Sequence, residues 1–431
     1  MLSREENELL TRVGPGTPMG EMIRRFWVPA CLSEELPEPD CDPIRVRLLG
    51  EDLVAFRDTS GRVGLMQHRC PHRGASLFFG RNEEGGLRCL YHGWKVDVEG
   101  KILDTPCEPS ESMIRHHVTH RAYPTVEAGD VLWAYLGPRE KQPPFPNYWW
   151  TNVPASHRVV GKIDYACNYL QGLEGTVSDA HNSALHAGFA LMHWTPDQIE
   201  RIRGIRMVGT VGSEAALPHT LDIVDTAYGF RYGSARRDRP APEGKKVLNM
   251  TPMLLPFHVW LHEVPHMFVP ADDEHTWLYD VRASEVHAID RDTELAQRGE
   301  RVGEDLAPDH HKLRTLQNNY QQDRTAMRER REYWSYSGIP WGKPLQDMLV
   351  TESMGPIYDR ETEHLGMSDT VVVHLRARML AAVRRFMESG ETPAEDRSIR
   401  WDLIRGGTSV VPVDIPWSAL EYPDEAESGV R

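Results

Sequence analysis

Two short Cys/His pairs lie close together in the first quarter of the sequence. One residue separates Cys70 from His72, two separate Cys89 from His92, and sixteen lie between the pairs. Two thiolates and two imidazoles can bind a tetrahedral zinc ion. They can equally bind a [2Fe–2S] cluster, with two cysteines on one iron and two histidines on the other. The single residue between Cys70 and His72 favours the cluster, because zinc sites usually leave two or more residues between partners.

The residues around these pairs carry a family resemblance. CPHRGASL and CLYHGW are similar to the two ligand loops of the Rieske proteins. Gly74 and Gly93 follow the pairs, where turns that bring backbone N–H groups around sulfur need a positive φ and a close approach. The resemblance implies a Rieske cluster held by the four residues Cys70, His72, Cys89 and His92.

The other four cysteines have no histidine at metal-ligand spacing. Six cysteines in 431 residues are too few for a disulfide-rich secreted scaffold. We therefore expect each of the remaining ones to be a small core residue, namely Cys31, Cys41, Cys107 and Cys167.

A second pair of histidines lies in the segment NYLQGLEGTVSDAHNSALH. We predict a helix between Asn168 and Met192 that bears His181 and His186. Five residues of a regular helix turn through about 500°, which leaves the two rings about 140° apart. They converge on one ion only if the helix ends, kinks or carries a π-bulge there; otherwise they are two unrelated helical histidines.

Resemblance points to the first alternative. The histidine segment is similar to the iron-binding segment of the ring-hydroxylating oxygenases, which implies a mononuclear non-haem Fe(II) bound by His181 and His186. The stretch PLQDMLVTESMGPIYDRETEHLGMSD resembles the C-terminal signature of the phthalate dioxygenase branch and implies Asp347 as the third ligand. GPGTPMGEMIRRFWVPACLSEELPEPD and NNYQQDR match as well, so that the resemblance spans nearly the whole chain.

The sequence departs from the family at one position. The family places an aspartate three residues before the first histidine ligand, where it links the cluster of a neighbouring subunit to the iron. Here that position is Ser178, and the aspartate is Asp179. One residue rotates a helical side chain by about 100°. We expect Asp179 or Ser178 to carry the link, with Asn168 and Gln171 as the next candidates.

The resemblance implies a division of labour between the two sites. The chain would be the oxygenase component of a Rieske system that uses O₂ and electrons from a separate flavin- or ferredoxin-type reductase to hydroxylate an aromatic acid. The expected reaction is a phthalate-type cis-dihydroxylation; the alternative is monooxygenation with O-demethylation of a methoxylated acid. An alternative of another class is a Rieske electron-transfer protein without a catalytic iron. The chain contains no G-x-G-x-x-G dinucleotide fingerprint after a strand.

An aromatic acid needs a local cation, because the formal net charge of −15 repels carboxylates. In YGFRYGSARR, alternate residues from Tyr228 to Arg236 share one face if the run is a strand. Arg236 is therefore the candidate for substrate binding, unless it only extends from a core face to solvent. Further candidates are Arg203, Arg206 and Arg231.

Several elements must position these residues. Short apolar runs with turn residues between them predict a small antiparallel β domain from Pro43 to Leu136, and the proline-rich segment 137–154 separates it from the rest. We predict an N-terminal arm (1–42), a Rieske domain (43–140) and a catalytic α+β domain (155–431) with an antiparallel sheet, of the helix-grip or START-like type by resemblance. A helix is predicted from Ser368 as its N-cap to Ser389, with four arginines off its apolar stripe and a stop at Gly390.

Charge and hydropathy exclude other classes of function. The acidic chain is unsuited to nucleic acid, and it has neither an apolar run of membrane-spanning length nor a secretion signal. We therefore expect a cytoplasmic enzyme. Since the two metal sites lie in different domains, we also expect a cyclic homo-oligomer, a trimer or a stacked pair of trimers, in which Cys70 and Cys89 of one chain face His181 and His186 of the next.

Overall fold

The computed structural model describes residues 1–183, 185–186, 218–236, 242–261, 264–329 and 336–415. The run RMVGTV at 206–211, whose sequence predicts a strand, lies outside these residues, as do Arg203 and Arg206. The predicted class is confirmed: an N-terminal antiparallel β region is followed by an α+β region with a large antiparallel sheet. The proposed division into 1–42, 43–140 and 155–431 stays a prediction.

The bounds of the strands and helices are as follows. The strands are β1 Trp27–Leu32, β2 Ile44–Leu48, β3 Glu51–Arg57, β4 Val63–Gln67, β5 Arg81–Glu83, β6 Gly86–Arg88, β7 Lys95–Val96, β8 Ile102–Asp104, β9 Ala122–Tyr123, β10 Thr125–Ala128, β11 Val131–Tyr135, β12 Arg158–Tyr165, β13 Pro218–Thr226, β14 Gly229–Arg236, β15 Lys245–Leu254, β16 His258–Leu261, β17 Val264–Pro270, β18 Thr276–Ala283 and β19 Gly407–Pro412. The α-helices are α1 Arg4–Thr11, α2 Pro18–Ile23, α3 Ile114–His117, α4 Tyr169–Val177, α5 Arg291–Arg298, α6 Arg324–Glu329, α7 Lys343–Glu352 and α8 Thr370–Ser389.

Three small antiparallel sheets form the N-terminal part. Their strand orders are β1-β11-β10, β2-β3-β4-β9 and β5-β6-β7-β8. The strands reverse at residues typical of turns, at 58–62 between β3 and β4 and at Glu99 and Gly100 between β7 and β8. A separate small core that includes Phe56, Leu87 and Trp94 supports the sheets around the Cys/His loops.

The large sheet has the order β12-β18-β17-β16-β15-β14-β13, and β19 pairs with one end of β15. Helices cover one of its faces. A Cβ added to Gly172 in α4 would lie 2.3 Å from the Phe268 ring of β17, and the His374 ring of α8 lies 4.9 Å from the Phe230 ring of β14. Because β-strand side chains alternate between faces, Phe230, Tyr232 and Ser234 all point towards the helices.

Helix α8 confirms one prediction and corrects two. It ends at Gly390, whose φ of 70° is the left-handed conformation that stops a helix. It begins at Thr370 after a 3₁₀ turn, so that Asp369 rather than Ser368 occupies the N-cap position. Arg376 does not avoid the buried stripe but is 4% exposed, because Glu174 and Glu363 neutralise its charge inside the protein.

Candidate metal centres

The two Cys/His loops have the same backbone hydrogen bonds. In the first, Cys70 N donates to Ala75 O and Gly74 N to Cys70 O, at 2.8 and 2.9 Å. In the second, the Cys89 and Gly93 amides make the equivalent bonds at 2.8 and 3.0 Å. The glycines have φ values of 77° and 74°, which L-residues rarely adopt. Each turn is therefore encoded by its own few residues.

The two thiols are buried next to each other at the centre of these loops. Cys70 is 3% and Cys89 2% exposed. Burial raises the pKa of Cys70 to about 11, the neighbouring Cys89 adds to this, and the backbone N–H groups of His72 and Arg73 donate to the sulfur and oppose the rise. N–H groups directed at sulfur stabilise a thiolate once a metal displaces the proton.

The two histidines lie on the outer side of the thiols. The ring centroids of His72 and His92 are 4.5 Å apart, and His72 stacks on Trp94 at 4.7 Å. Burial and the neighbouring His72 lower the pKa of His92, which favours the neutral, metal-binding imidazole. Two buried sulfurs and two outer imidazoles are the donor set of a Rieske cluster, so that the residues present fit this group.

The other cysteines behave as expected with one exception. Cys31 and Cys167 are buried and Cys41 is half-buried. Cys107, however, is exposed, and the expectation that it is a core residue is wrong. It lies in the loop between β8 and α3.

The helix that we predicted to bear both further histidines ends before either of them. Helix α4 stops at Val177, and His181 lies in a 3₁₀ turn, Asp179–Ser183, with His186 beyond it. The expectation of one helix for both residues is wrong for a simple reason. A regular helix keeps rings five residues apart from one point; here the helix ends, and the centroids of the two rings are 5.0 Å apart.

The histidines meet Asp347, which lies within α7. Nε2 of His186 is 3.0 Å and Nε2 of His181 is 3.5 Å from Asp347 Oδ1. One ligand atom from each residue lies within 4.8 Å of the others. Two imidazoles and one carboxylate form the facial donor set of a non-haem iron site with open positions. These residues therefore fit a mononuclear iron.

Burial and charge prepare this site for a cation. His186 is 4% exposed, whereas the Asp347 side chain is 33% exposed, which leaves one side of the set open. Burial raises the pKa of Asp347, but His186 and His181 outweigh it, and the net pKa lies below its ordinary value. Asp347 is thus an anion at neutral pH.

Ser178 contributes its backbone to the site. Its carbonyl accepts a hydrogen bond from Nδ1 of His181, which leaves Nε2 of that ring directed at Asp347. The backbone of Asp179 begins the 3₁₀ turn, but its side chain lies outside the described residues.

Asn168 and Gln171 hold α4 in place. Asn168 caps the helix by accepting from Leu170 N, and its amide donates to the carbonyls of Thr11 and Asp273 at 2.9 and 2.7 Å. The Gln171 amide donates to the carbonyl of Thr351, near the end of α7, and to that of Gly355, three residues beyond it. These bonds fix α4 to neighbouring backbone, and the assignment of either residue to the link between subunits stays a prediction.

Helix α4 is further anchored by buried charges. Glu174 accepts hydrogen bonds from Arg360, at 2.7 to 3.1 Å, and from Arg376 at 2.6 Å. Arg360 comes from the motif ESMGPIYDR and is fully buried. Glu363 pairs with Arg376, so that two carboxylates balance two guanidinium groups.

The substrate candidates are placed only in part. Arg236 is the last residue of β14, in register with Val247 of β15, and its side chain lies outside the described residues. Tyr228, Phe230, Tyr232 and Ser234 are buried, as an aromatic wall requires. Arg231 is also buried, but alternation directs it to the other face of the sheet.

Sequence analysis did not identify Gln346. This residue directly precedes Asp347 and is fully buried. Its Oε1 lies 2.7 Å from Nδ1 of His186. A glutamine in an amphipathic helix carries no signal of such a contact, and the contact depends on a loop distant in sequence.

Two family models match this chain. Residues 26–124 match the family model of the Rieske [2Fe–2S] domain, and residues 134–430 match the model described as LigXa C-terminal domain like. The second match covers more than half of the chain.

Three relatives cover most of the chain. It is 39% identical over 426 residues to the phthalate 4,5-dioxygenase oxygenase subunit of Pseudomonas putida (97% of this chain, 94% of the relative). It is 35% identical over 451 residues to the 3-chlorobenzoate-3,4-dioxygenase oxygenase subunit of Comamonas testosteroni, with full coverage of both. It is 31% identical over 402 residues to the 5,5'-dehydrodivanillate O-demethylase oxygenase subunit of a Sphingobium strain (91% and 83%).

A solved structure shares the fold. The QL mutant of NdmA from Pseudomonas putida CBB5, solved with theobromine, superposes with a TM-score of 0.55 at 19% identity, over 88% of this chain and 95% of that one. Within the described part of the present chain, no helix combines the length and apolar character needed to cross a membrane.

Proposed function

Since this chain belongs to the Rieske non-haem iron oxygenases, as an oxygenase subunit of the phthalate dioxygenase type, we propose that it hydroxylates an aromatic acid at a site formed by His181, His186 and Asp347. The observation that carries the proposal is the convergence of these three residues from two distant segments within 4.8 Å. An electron-transfer protein without a catalytic iron has no need of this set.

The cluster and the mononuclear iron would carry out different parts of the reaction. When bound, the cluster supplies single electrons and the iron binds and activates O₂. In the chain itself, the Ser178 carbonyl and the Gln346 amide bind Nδ1 of the two histidines and direct both Nε2 atoms towards Asp347. The pKa of Asp347 lies below its ordinary value, so that it offers a carboxylate as ligand, and burial of His186 excludes water from the inner side of the site.

The metal assignment is tested by composition. The purified protein should contain about three irons and two acid-labile sulfides per chain. Asp347→Ala should remove the mononuclear iron and leave the visible spectrum of the cluster intact, because the two sites share no ligand. Asp359→Ala, at an exposed carboxylate of the same signature, is the matched control and should keep all three irons. Stoichiometric zinc without labile sulfide, or an Asp347→Ala protein that keeps its iron, would contradict the proposal.

The names of two relatives support an aromatic acid as substrate, since phthalate and 3-chlorobenzoate are aromatic carboxylates. We propose Arg236, at the end of the aromatic face of β14, as the group that pairs with the substrate carboxylate through parallel hydrogen bonds. Arg236→Met should weaken binding by ~1.5–3 kcal/mol, measured as a rise in KM. An unchanged KM in a folded variant would move the search to Arg231, Arg203 or Arg206.

The third relative supports the alternative, O-demethylation of a methoxylated aromatic acid. Single-turnover product analysis with ¹⁸O₂ on a panel of aromatic acids separates the two reactions. A cis-dihydrodiol with both oxygens labelled indicates dioxygenation. A phenol and formaldehyde from a methoxy substrate indicate demethylation.

We also propose a cyclic homotrimer, alone or as a stacked pair, in which the cluster loops of one copy lie against the mononuclear site of the next. Apolar side chains are exposed around these loops: Phe79 by 62%, Leu90 by 64% and Tyr91 by 57%. A patch of this kind beside a redox site supports docking of a second copy. Asp179 or Ser178 remains the proposed residue at this junction.

Subunit mixing tests this assembly. Cys70→Ser lacks the cluster and Asp347→Ala lacks the iron, so each should be inactive alone. Reassembled together in equal amounts, they should recover about one quarter of wild-type activity, because that fraction of junctions in a head-to-tail ring joins an intact cluster to an intact iron site. Mixed without exchange, they should stay inactive. No recovery after proven exchange would refute a path between subunits.

A further inference from the structure

The side-chain amide of Gln346 has a determined orientation. Its Nε2 donates to Ser337 Oγ at 2.7 Å and to the Ile339 carbonyl at 3.0 Å. A backbone carbonyl can only accept, so the NH₂ group must face Ile339 and the oxygen must face the other way. The flipped amide would place two acceptors against each other.

This orientation determines the proton on His186. Oε1 of Gln346 lies 2.7 Å from Nδ1 of His186, and an amide oxygen only accepts. Nδ1 must therefore carry a hydrogen, and in the neutral ring the lone pair is on Nε2. This nitrogen lies 3.0 Å from Asp347 Oδ1, which suits two ligand atoms of one metal ion; without the metal, a proton on Nε2 takes its place.

The segment NNYQQDR binds the loop 337–339, which in turn holds the Gln346 amide. In NNYQQDR, Gln322 Nε2 donates to Ser337 O at 2.6 Å, and Asp323 N donates to Gly338 O at 2.8 Å. Gly338 has a φ of 70°, and a Cβ there would lie 2.8 Å from Asp323 O.

The backbone of NNYQQDR is itself unusual. It contains three consecutive left-handed residues, Asn319, Tyr320 and Gln321, with φ of 54°, 53° and 50°. Such a conformation persists only where the surroundings require it.

We propose that Gln346 is a positioning residue: braced by NNYQQDR through the loop 337–339, it holds His186 as the Nδ1–H tautomer and so presents Nε2 to the mononuclear metal. Ser178 serves His181 in the same way with a backbone carbonyl. One helix, α7, thus provides both a ligand, Asp347, and the residue that orients another ligand. The inference rests on the proposed function of His186 as a ligand.

The rate at which the mononuclear iron is released tests the positioning role of Gln346 without a measurement of turnover. Under anaerobic conditions, with a ferrous chelator in excess, Gln346→Met should release the mononuclear iron about 10- to 100-fold faster than the wild type. Gln346→Glu should release it clearly more slowly than Gln346→Met, because one carboxyl oxygen still accepts from Nδ1 while the other, when protonated, can donate to the Ile339 carbonyl. Ser337→Ala is the matched control, since the Ile339 carbonyl still orients the amide, and it should remain close to the wild type. The visible absorbance of the cluster reports that the N-terminal region of each variant is folded, and urea unfolding followed by circular dichroism reports the same for the region that contains residue 346.

Release rates separate positioning from simple packing. A residue that only filled space would make Gln346→Glu, with its polar replacement, at least as damaging as Gln346→Met. The inference is overturned if Gln346→Met holds iron like the wild type or if the two variants lose it equally fast. If the wild type itself binds no mononuclear metal, the proposed function fails instead.

The tautomer of His186 can also be measured directly in the wild-type protein. In protein labelled with [¹⁵N]histidine, with zinc in place of the mononuclear iron, NMR should show His186 protonated at Nδ1 and bound to metal through Nε2. Metal on Nδ1, or a proton on Nε2, would overturn the inference.

Discussion

Replacing Arg360 by methionine should destabilise the protein strongly. Arg360 is fully buried and donates three hydrogen bonds to Glu174, at 2.9, 3.1 and 2.7 Å, and one to Asn7 Oδ1 at 2.9 Å. It thereby joins the N-terminal helix α1, helix α4 and the C-terminal signature. Methionine fills similar space but, among the described residues, leaves Arg376 as the cation that pairs with the buried carboxylates Glu174 and Glu363.

The expected magnitude follows from this charge balance. Removing one partner of a buried ion pair costs about 3–5 kcal/mol, because an uncompensated charge stays in the interior. Arg376 still donates to Glu174 at 2.6 Å, so we expect the lower end, about 3 kcal/mol. The pKa of Glu174 supports the sign: burial raises it, yet Arg360 and Arg376 bring it below its ordinary value.

The assay is urea unfolding at neutral pH, with the free energy of unfolding compared between variants. Arg384→Met is the matched control, because the Arg384 side chain is 53% exposed and pairs with Glu6 at 2.8 Å; it should cost no more than about 1 kcal/mol. The double variant Arg360→Met/Glu174→Gln should be less destabilised than the sum of the two single changes, since it removes both charges. Equal costs for Arg360→Met and Arg384→Met, or strict additivity in the double variant, would refute the reasoning.

Two other predictions concern packing and pH. Gly172→Ala should cost about 1–3 kcal/mol, because the new Cβ would lie 2.3 Å from the Phe268 ring; urea unfolding that matches the wild type would contradict the tight approach of α4 to the sheet. Burial lowers the pKa of His258 to about 3, whereas in the unfolded chain it is about 6.5. Between these values only the unfolded state binds the proton, so that stability falls as pH falls below about 6.5, by up to about 1.4 kcal/mol per pH unit. His258→Phe should make the decline in stability from pH 7 to 5 shallower, and parallel profiles would show that His258 is not responsible.

Features encoded within a few residues were predictable from the sequence. The loops CPHRGASL and CLYHGW form turns in which each cysteine bonds to the glycine four residues later, and the positive φ of those glycines is a local requirement. The stop of α8 at Gly390 and strand β18, Thr276–Ala283, are local in the same way. Such features depend on backbone conformation and on alternation, which neighbouring residues determine.

Only the tertiary structure decided how the mononuclear site is assembled. Helical spacing alone predicts that the rings of His181 and His186 point in different directions. They converge because α4 ends at Val177, before both residues. Asp347 was implied by resemblance, and its contact with residues about 160 positions earlier depends on the packing of α7 against α4. The burial of Arg376 and the contact of Gln346 with His186 have the same origin. A charged or polar side chain enters the interior only where its partners already lie, and the folded chain, not the local sequence, places those partners.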